Sequence, residues 1–325
     1  MSKRGEMNKN GVVGGLALIA ALSHTSAFAL LGGSVDTNSA SSPWAGVGAV
    51  TINGSVFSGA LIDSQHVLTA AHVVSGAALG SVGFTLNVGG DATQTLGASA
   101  IQVFPGYNGT TPGADGVWHD DLAIITLSAP VTGVVPTYSL FNGSLANQTI
   151  TLVAYGSGGD GINGVTSGAN ASVKRVGKNR VDVQLVDDDV VGSTVKEVFA
   201  FDFDGPTSAS NVFGANAAPN LTLGANVEAQ FAGGDSGSPV FVNDGGVWKI
   251  AGIAAFNGSA TTGGSNTLFG SIGGGTIVAS YIPWITSALA TPVPEPHTWL
   301  MLLAGLGLVG AVRLRLRFRA ANNRI

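Results

Sequence analysis

Between residues 30 and 290 the chain is a succession of apolar, β-branched runs of four to eight residues, divided by clusters of Gly, Asn, Ser and Asp. This punctuation is the tightest constraint on the fold, because runs so short suit antiparallel strands and fall below the length of typical helices. Residues 47–52, 122–127, 150–154 and 181–186 are the clearest strands. The 49 glycines and a charged fraction of only 10% fit tight turns better than solvated helices. One helix is expected at residues 281–289, where Ile282, Ile285 and Leu289 share a face and Pro283 fits a first turn. No period indicates a solenoid or propeller. The expected class is all-β, and residues 156–223, rich in Gly, Asn and Asp, are its least regular part.

With no cysteine, the chain has no disulfide, no thiolate nucleophile and no zinc-thiolate site, so packing must hold it together. A net charge of -5 gives no basic field for phosphates, which argues against a nucleic-acid partner. No metal site and no cofactor is expected, since Cys and His form no ligand cluster.

Both termini read as addresses. Lys3, Arg4 and Lys9 precede an apolar run from Val12 to Leu22 and then Ala27-Phe28-Ala29, the layout of a signal peptide over residues 1–29 cut by signal peptidase after Ala29. The apolar run is shorter than the roughly 20 residues that span a bilayer. At the other end, Pro294-Glu295-Pro296 precedes an apolar stretch from Trp299 to Val312, then Arg313, Arg315, Arg317 and Arg319. Arginines placed there hold that end in the cytoplasm, with residues 30–290 outside. This tail, residues 291–325, resembles the PEP-CTERM sorting signal of Gram-negative bacteria. The resemblance implies a transmembrane segment that contacts the membrane before processing by an exosortase, and a cell-surface, matrix or secreted destination.

Three segments carry residues suited to acyl transfer. His72 ends the run Val67-Leu68-Thr69-Ala70-Ala71, and a positioned imidazole can take and return a proton near neutral pH. Asp121 directly precedes the strand at 122–127, where a buried carboxylate can orient an imidazole; its neighbour Asp120 lacks that immediate strand contact. Ser236 lies in Gly233-Gly234-Asp235-Ser236-Gly237-Ser238-Pro239, whose glycines permit unusual backbone angles and leave N–H groups for an oxyanion. Taken singly, each residue also has a structural reading as a packed His, a cap or a turn.

Together, Leu68-Thr69-Ala70-Ala71-His72, Asp121-Leu122-Ala123-Ile124-Ile125 and Gly234-Asp235-Ser236-Gly237-Ser238-Pro239 resemble, in order, the three active-site segments of the trypsin and chymotrypsin family. The resemblance extends over residues 30–290 through Leu30-Leu31-Gly32-Gly33, Pro43-Trp44, Tyr155-Gly156 and Gly252-Ile253-Ala254-Ala255-Phe256. It implies two six-stranded antiparallel β-barrels with a short C-terminal helix. The first, residues 30–149, would carry His72 and Asp121, and the second, residues 150–290, would carry Ser236. It further implies a serine endopeptidase acting on a protein or peptide, with an oxyanion hole at Gly234 and Ser236 and an ion pair between the new N-terminus at Leu30 and Asp235. His72 stands 42 residues after Leu30, which fits the family spacing. The substrate pocket would hold Gln230 at its base, with Phe231 and Asn257, and so lacks the acid that selects Lys or Arg. Ala255 replaces a serine that supports the triad, and Ser238 replaces a glycine. The competing expectation is a catalytically inactive binding protein of the cell surface or exopolysaccharide matrix that keeps the protease fold. An α/β-hydrolase needs its serine before its histidine, contrary to the order here.

Overall fold

A computed structural model describes residues 30–290, apart from 88–92, 110, 111, 114, 215–221, 225, 226 and 262, and also Leu306. The signal-peptide expectation and the sorting tail with its apolar stretch lie outside these residues, Leu306 excepted. Among the described residues no helix is long and apolar enough to cross a membrane. By its contacts the chain divides into Met1–Ala288 and Leu289–Ile325.

After a short arm, β1 (Ser34–Val35), the first half contributes β2 (Val47–Ile52), β3 (Ser55–Leu61), β4 (His66–Thr69), the one-turn helix α1 (Ala71–Val74), β5 (Val82–Leu86), β6 (Gln94–Val103) and β7 (Ala123–Leu127). Strands β2-β3-β4-β7-β6-β5 close into an antiparallel barrel. Closure turns one face of each strand inward, and Val47, Ala60, Leu61, Val67, Leu68, Phe84, Ile124 and Ile125 are fully or almost fully buried on one face or the other of their strands. Asn53-Gly54, both at positive φ, make the two-residue turn between β2 and β3 that matches strand twist. Gly48 lets Phe84 cross the barrel, since a built Cβ would stand 2.4 Å from its ring.

The second half runs through β8 (Thr149–Ala154), β9 (Gly158–Asp160), β10 (Gly164–Ser167), β11 (Arg175–Arg180), β12 (Val183–Val186), β13 (Lys196–Asp202), β14 (Pro239–Asp244), β15 (Val247–Ser259), β16 (Ser271–Ile277) and α2 (Ile282–Ala290). The strands form a sheet in the order β1-β11-β8-β14-β15-β16-β13-β12, with β9 and β10 as a separate hairpin. β11 pairs with β8 up to Arg180, and after two residues the same stretch pairs with β13 as β12. One continuous segment, residues 175–186, thus pairs with β8 on one side and with β13 on the other and links the two sides of the sheet. The core under this sheet gathers Ile150, Leu152, Phe199, Phe201, Val240 and Ala254. Fully burying a side chain of Leu or Phe size contributes roughly 1.5–3 kcal/mol, and such packing takes the place of disulfides. The expected helix at 281–289 is present as α2, with Ile285 and Ala288 buried.

Candidate active site

Register in the closed barrel brings His72 and Asp121 together. Thr69, the last residue of β4, pairs with Ala123, the first of β7, so the chain just after one and just before the other meet at one barrel rim. His72 begins its turn there on α1. Its Nδ1 lies 2.6 Å from Asp121 Oδ2, and its backbone N–H donates to Asp121 Oδ1 at 2.8 Å. Two contacts from one residue fix both carboxylate oxygens and hold the ring. Burial works against the imidazolium, but the Asp121 charge and hydrogen bond outweigh it and raise the His72 pKa above its ordinary value. Asp121 is 3% exposed and the His72 side chain 32%, so the pair is anchored on one side and open on the other.

Asp120 points elsewhere. It takes a positive φ of 59° and its Oδ1 accepts the Tyr281 hydroxyl at 2.8 Å. Burial, opposed by that hydrogen bond, moves its carboxyl up to about 6, with Glu197, Asp189 and Asp188 adding repulsion.

Ser236 arrives from the loop before β14 and is docked against the barrel by backbone contacts. Ser58 N–H on β3 donates to the Ser236 carbonyl at 3.1 Å, and Ser58 Oγ donates to the Gly234 carbonyl at 3.3 Å. A Cβ on Gly237 would lie 2.1 Å from Thr69 Oγ1 and 3.1 Å from the Ala70 amide, so only glycine lets this loop approach the segment that leads to His72. The N–H groups of Asp235, Gly237 and Ser238 are bonded to Ala232, Ala254 and Asp235 carbonyls. Those of Gly234 and Ser236 meet no acceptor among the described residues, and Gly234 takes φ 88°. Two unspent donors thus flank a half-exposed serine. The Ser236 hydroxyl itself makes no hydrogen bond among the described residues.

Leu30 and Leu31 are fully buried. Leu31 exchanges backbone hydrogen bonds with Gln230 at 2.9 and 3.0 Å, and Gly32 N–H donates to the Gly159 carbonyl. Asp235 is fully buried beside this segment. Ala232 N–H donates to its Oδ2 at 2.8 Å, while its Oδ1 has no hydrogen-bond partner. Burial pushes its pKa well above the usual carboxylate range, offset in part by the Ala232, Gly156 and Leu30 N–H groups and the Arg175 charge. At the expected pocket, the Gln230 carboxamide is buried. Its Nε2 donates to Ser271 Oγ at 3.2 Å, and its Oε1 accepts the Phe231 N–H. Phe231 packs on Phe201, and Asn257 Nδ2 donates to the Phe231 and Asn266 carbonyls.

The trypsin family model matches residues 31–200, more than half of the chain. The chain belongs to the trypsin family. A model of the PEP-CTERM protein-sorting motif matches residues 292–317, which marks this trypsin-family chain for export and sorting. A curated relative, the inactive CLIP domain-containing serine protease A3 of Aedes aegypti, is 25% identical over 245 residues, covering 72% of this chain and 46% of that protein. The chain therefore spans about half the length of that relative.

Two acidic clusters in this trypsin-family chain escape a motif-based reading. Buried His119 lies 3.1 Å from Asp115, 3.2 Å from Glu197 and 3.4 Å from Asp188. Burial opposes its charge, but the surrounding carboxylates win and lift it to about 9, so this cluster contains its own cation. Asp202, Asp204 and Glu228 form the other, all buried. The Asp-x-Asp spacing at the end of β13 points two carboxylates to one side of a strand and is a readable signal. Glu228 lies far along the chain, and nothing local announces it.

Proposed function

We propose that this chain is an exported serine endopeptidase. Ser236 Oγ attacks the scissile carbonyl while His72 Nε2 accepts its proton. Asp121 holds His72 in the tautomer with Nδ1–H, and the Gly234 and Ser236 N–H groups receive the negative oxygen. His72 then returns the proton to the leaving amine, and water releases the acyl group from Ser236. The observation that carries this reading is the two-point grip of Asp121 on His72 beside a serine flanked by two unspent N–H donors.

Signal peptidase would cut before Leu30 and an exosortase would process the tail, leaving the mature protein at the cell surface, in the matrix or secreted. The cut itself would activate the enzyme, because a new Leu30 ammonium would pair with Asp235, whose Oδ1 is otherwise without a partner. With an amide rather than an acid at Gln230, the pocket would favour uncharged side chains over Lys or Arg.

The relative's printed name favours a second reading, an inactive protease-fold binding protein. Peptide-library cleavage and labelling by a fluorophosphonate probe separate the two. The protease reading expects cleavage that Ser236→Ala lowers by about a million-fold, as removal of such a serine does elsewhere. Equal turnover in Ser236→Ala, or no labelling of the mature chain, would reject it.

A further inference from the structure

We propose that Asp202, Asp204 and Glu228 form a binding site for a hard divalent cation of the calcium type. One carboxylate oxygen from each lies within 4.8 Å of the others, and the three residues are 2%, 3% and 1% exposed. A fourth carboxyl, Asp182, accepts the Asp202 N–H at 3.2 Å, and burial with repulsion from Asp202 lifts its pKa to about 8. Among the described residues no Lys, Arg or His forms an ion pair with any of the three. Lys178 bridges Glu228 through its backbone, but its residue is exposed. Buried carboxylates without a counter-charge are costly, whereas the His119 cluster supplies its own.

The second observation is an orphaned oxygen. Asp204 Oδ2 accepts Asn211 Nδ2 at 3.2 Å, but its Oδ1 is buried with no hydrogen-bond partner. The other carboxylates are held by backbone donors that fix their direction. Val212 and Phe213 N–H groups donate to Asp202 Oδ2, and Leu223 and Asp204 N–H groups donate to Glu228 Oε1 and Oε2 at 2.8 Å each. Each oxygen keeps a further lone pair for a metal. The Thr222 hydroxyl faces the Asp204 carboxylate and supplies a neutral oxygen. An all-oxygen, irregular, highly charged set suits calcium better than a small ion that demands an octahedron.

Such an ion would clamp the end of β13 to the segment before Gln230. Glu228 also lies under the N-terminal arm, since a Cβ on Gly32 would come 2.5 Å from its carbonyl oxygen. The cation would thereby order the segment that leads into the candidate pocket. The test uses the full chain carrying Ser236→Ala, so that neither autolysis nor the fate of the protease reading affects it. After EDTA treatment, isothermal titration with CaCl2 is expected to give one ion per chain. The melting temperature is expected to rise by roughly 5–10 °C at about 100 times the dissociation constant. Asp204→Asn and Glu228→Gln should each weaken binding at least about ten-fold and remove most of the rise, whereas Asp244→Asn, on the surface, should keep both. An unchanged melting temperature with CaCl2, or a rise undiminished in Asp204→Asn and Glu228→Gln, would overturn the site. An equal response to MgCl2 would overturn its calcium character.

Discussion

Around His72 the buried charges have partners close in space: Asp121 holds the imidazole, His119 is ringed by three carboxylates, and Asp120 accepts a phenol. In the second half, two buried carboxylates each keep one oxygen without a hydrogen-bond partner, Asp235 Oδ1 and Asp204 Oδ1. His72 takes its partner from the closed barrel, whereas His119 and Asp120 reach Asp188, Glu197 and Tyr281 in the second half, and the two carboxylate oxygens of the second half meet no described donor. A charge buried without a partner is among the most costly features a fold can carry, so the difference marks where processing or ligand binding can act as a switch. On the proposed mechanism, half of the catalytic machinery is preformed and half is conditional.

The sharpest break of this comparison is Asp121→Asn. It is expected to lower turnover about ten-thousand-fold with the fold intact, while Asp120→Asn changes it by less than about ten-fold. Steady-state cleavage of one peptide by both variants checks it, and the reverse ranking would show the preformed half misassigned. Next comes Asp235→Asn, whose effect should reverse with the state of the N-terminus. In a chain extended beyond Leu30 the amide replaces a buried carboxyl that lacks a cation and holds or raises the melting temperature. In a chain starting at Leu30 it strands the ammonium, costs about 3–5 kcal/mol and lowers activity at least about a hundred-fold. Stability curves of the four proteins decide it.

Smaller effects concern pH. A raised His72 pKa means that kcat/KM should climb with pH through a midpoint above the ordinary histidine value of about 6.5 and then level off. The same shift has the opposite sign for stability: the pair's contribution is full below the unfolded-state pKa and is lost as pH rises through the folded one. A midpoint at or below about 6.5 would weaken the Asp121 pairing. Least of all should change in Lys249→Ala, which breaks an exposed pair with Asp244 and is expected to cost under about 1 kcal/mol by chemical denaturation.

How much of this is legible in the sequence varies with distance along the chain. The runs at 47–52, 122–127 and 150–154 fall on β2, β7 and β8 because short β-branched, apolar runs are a local property. The run expected at 181–186 begins as a strand only at Val183, since at Val181 and Asp182 the segment changes partner from β8 to β13. That change depends on β8 and β13, which local patterning does not reveal. His72 and Asp121 stand 49 residues apart and meet only through the Thr69 and Ala123 register. Their association was available to the sequence only through family resemblance. The Asp202-Asp204 spacing is visible, but the burial that gives it meaning is tertiary.

The most direct test of the account is the rate at which a fluorophosphonate labels Ser236 in two chains, one beginning at Leu30 and one with a single Met before it. The account predicts labelling of the first, loss of that labelling in Ser236→Ala, and labelling at least about a hundred-fold slower in the second, as expected for a lost buried ion pair. Equal rates in the two chains, or no labelling of the chain that begins at Leu30, would contradict it.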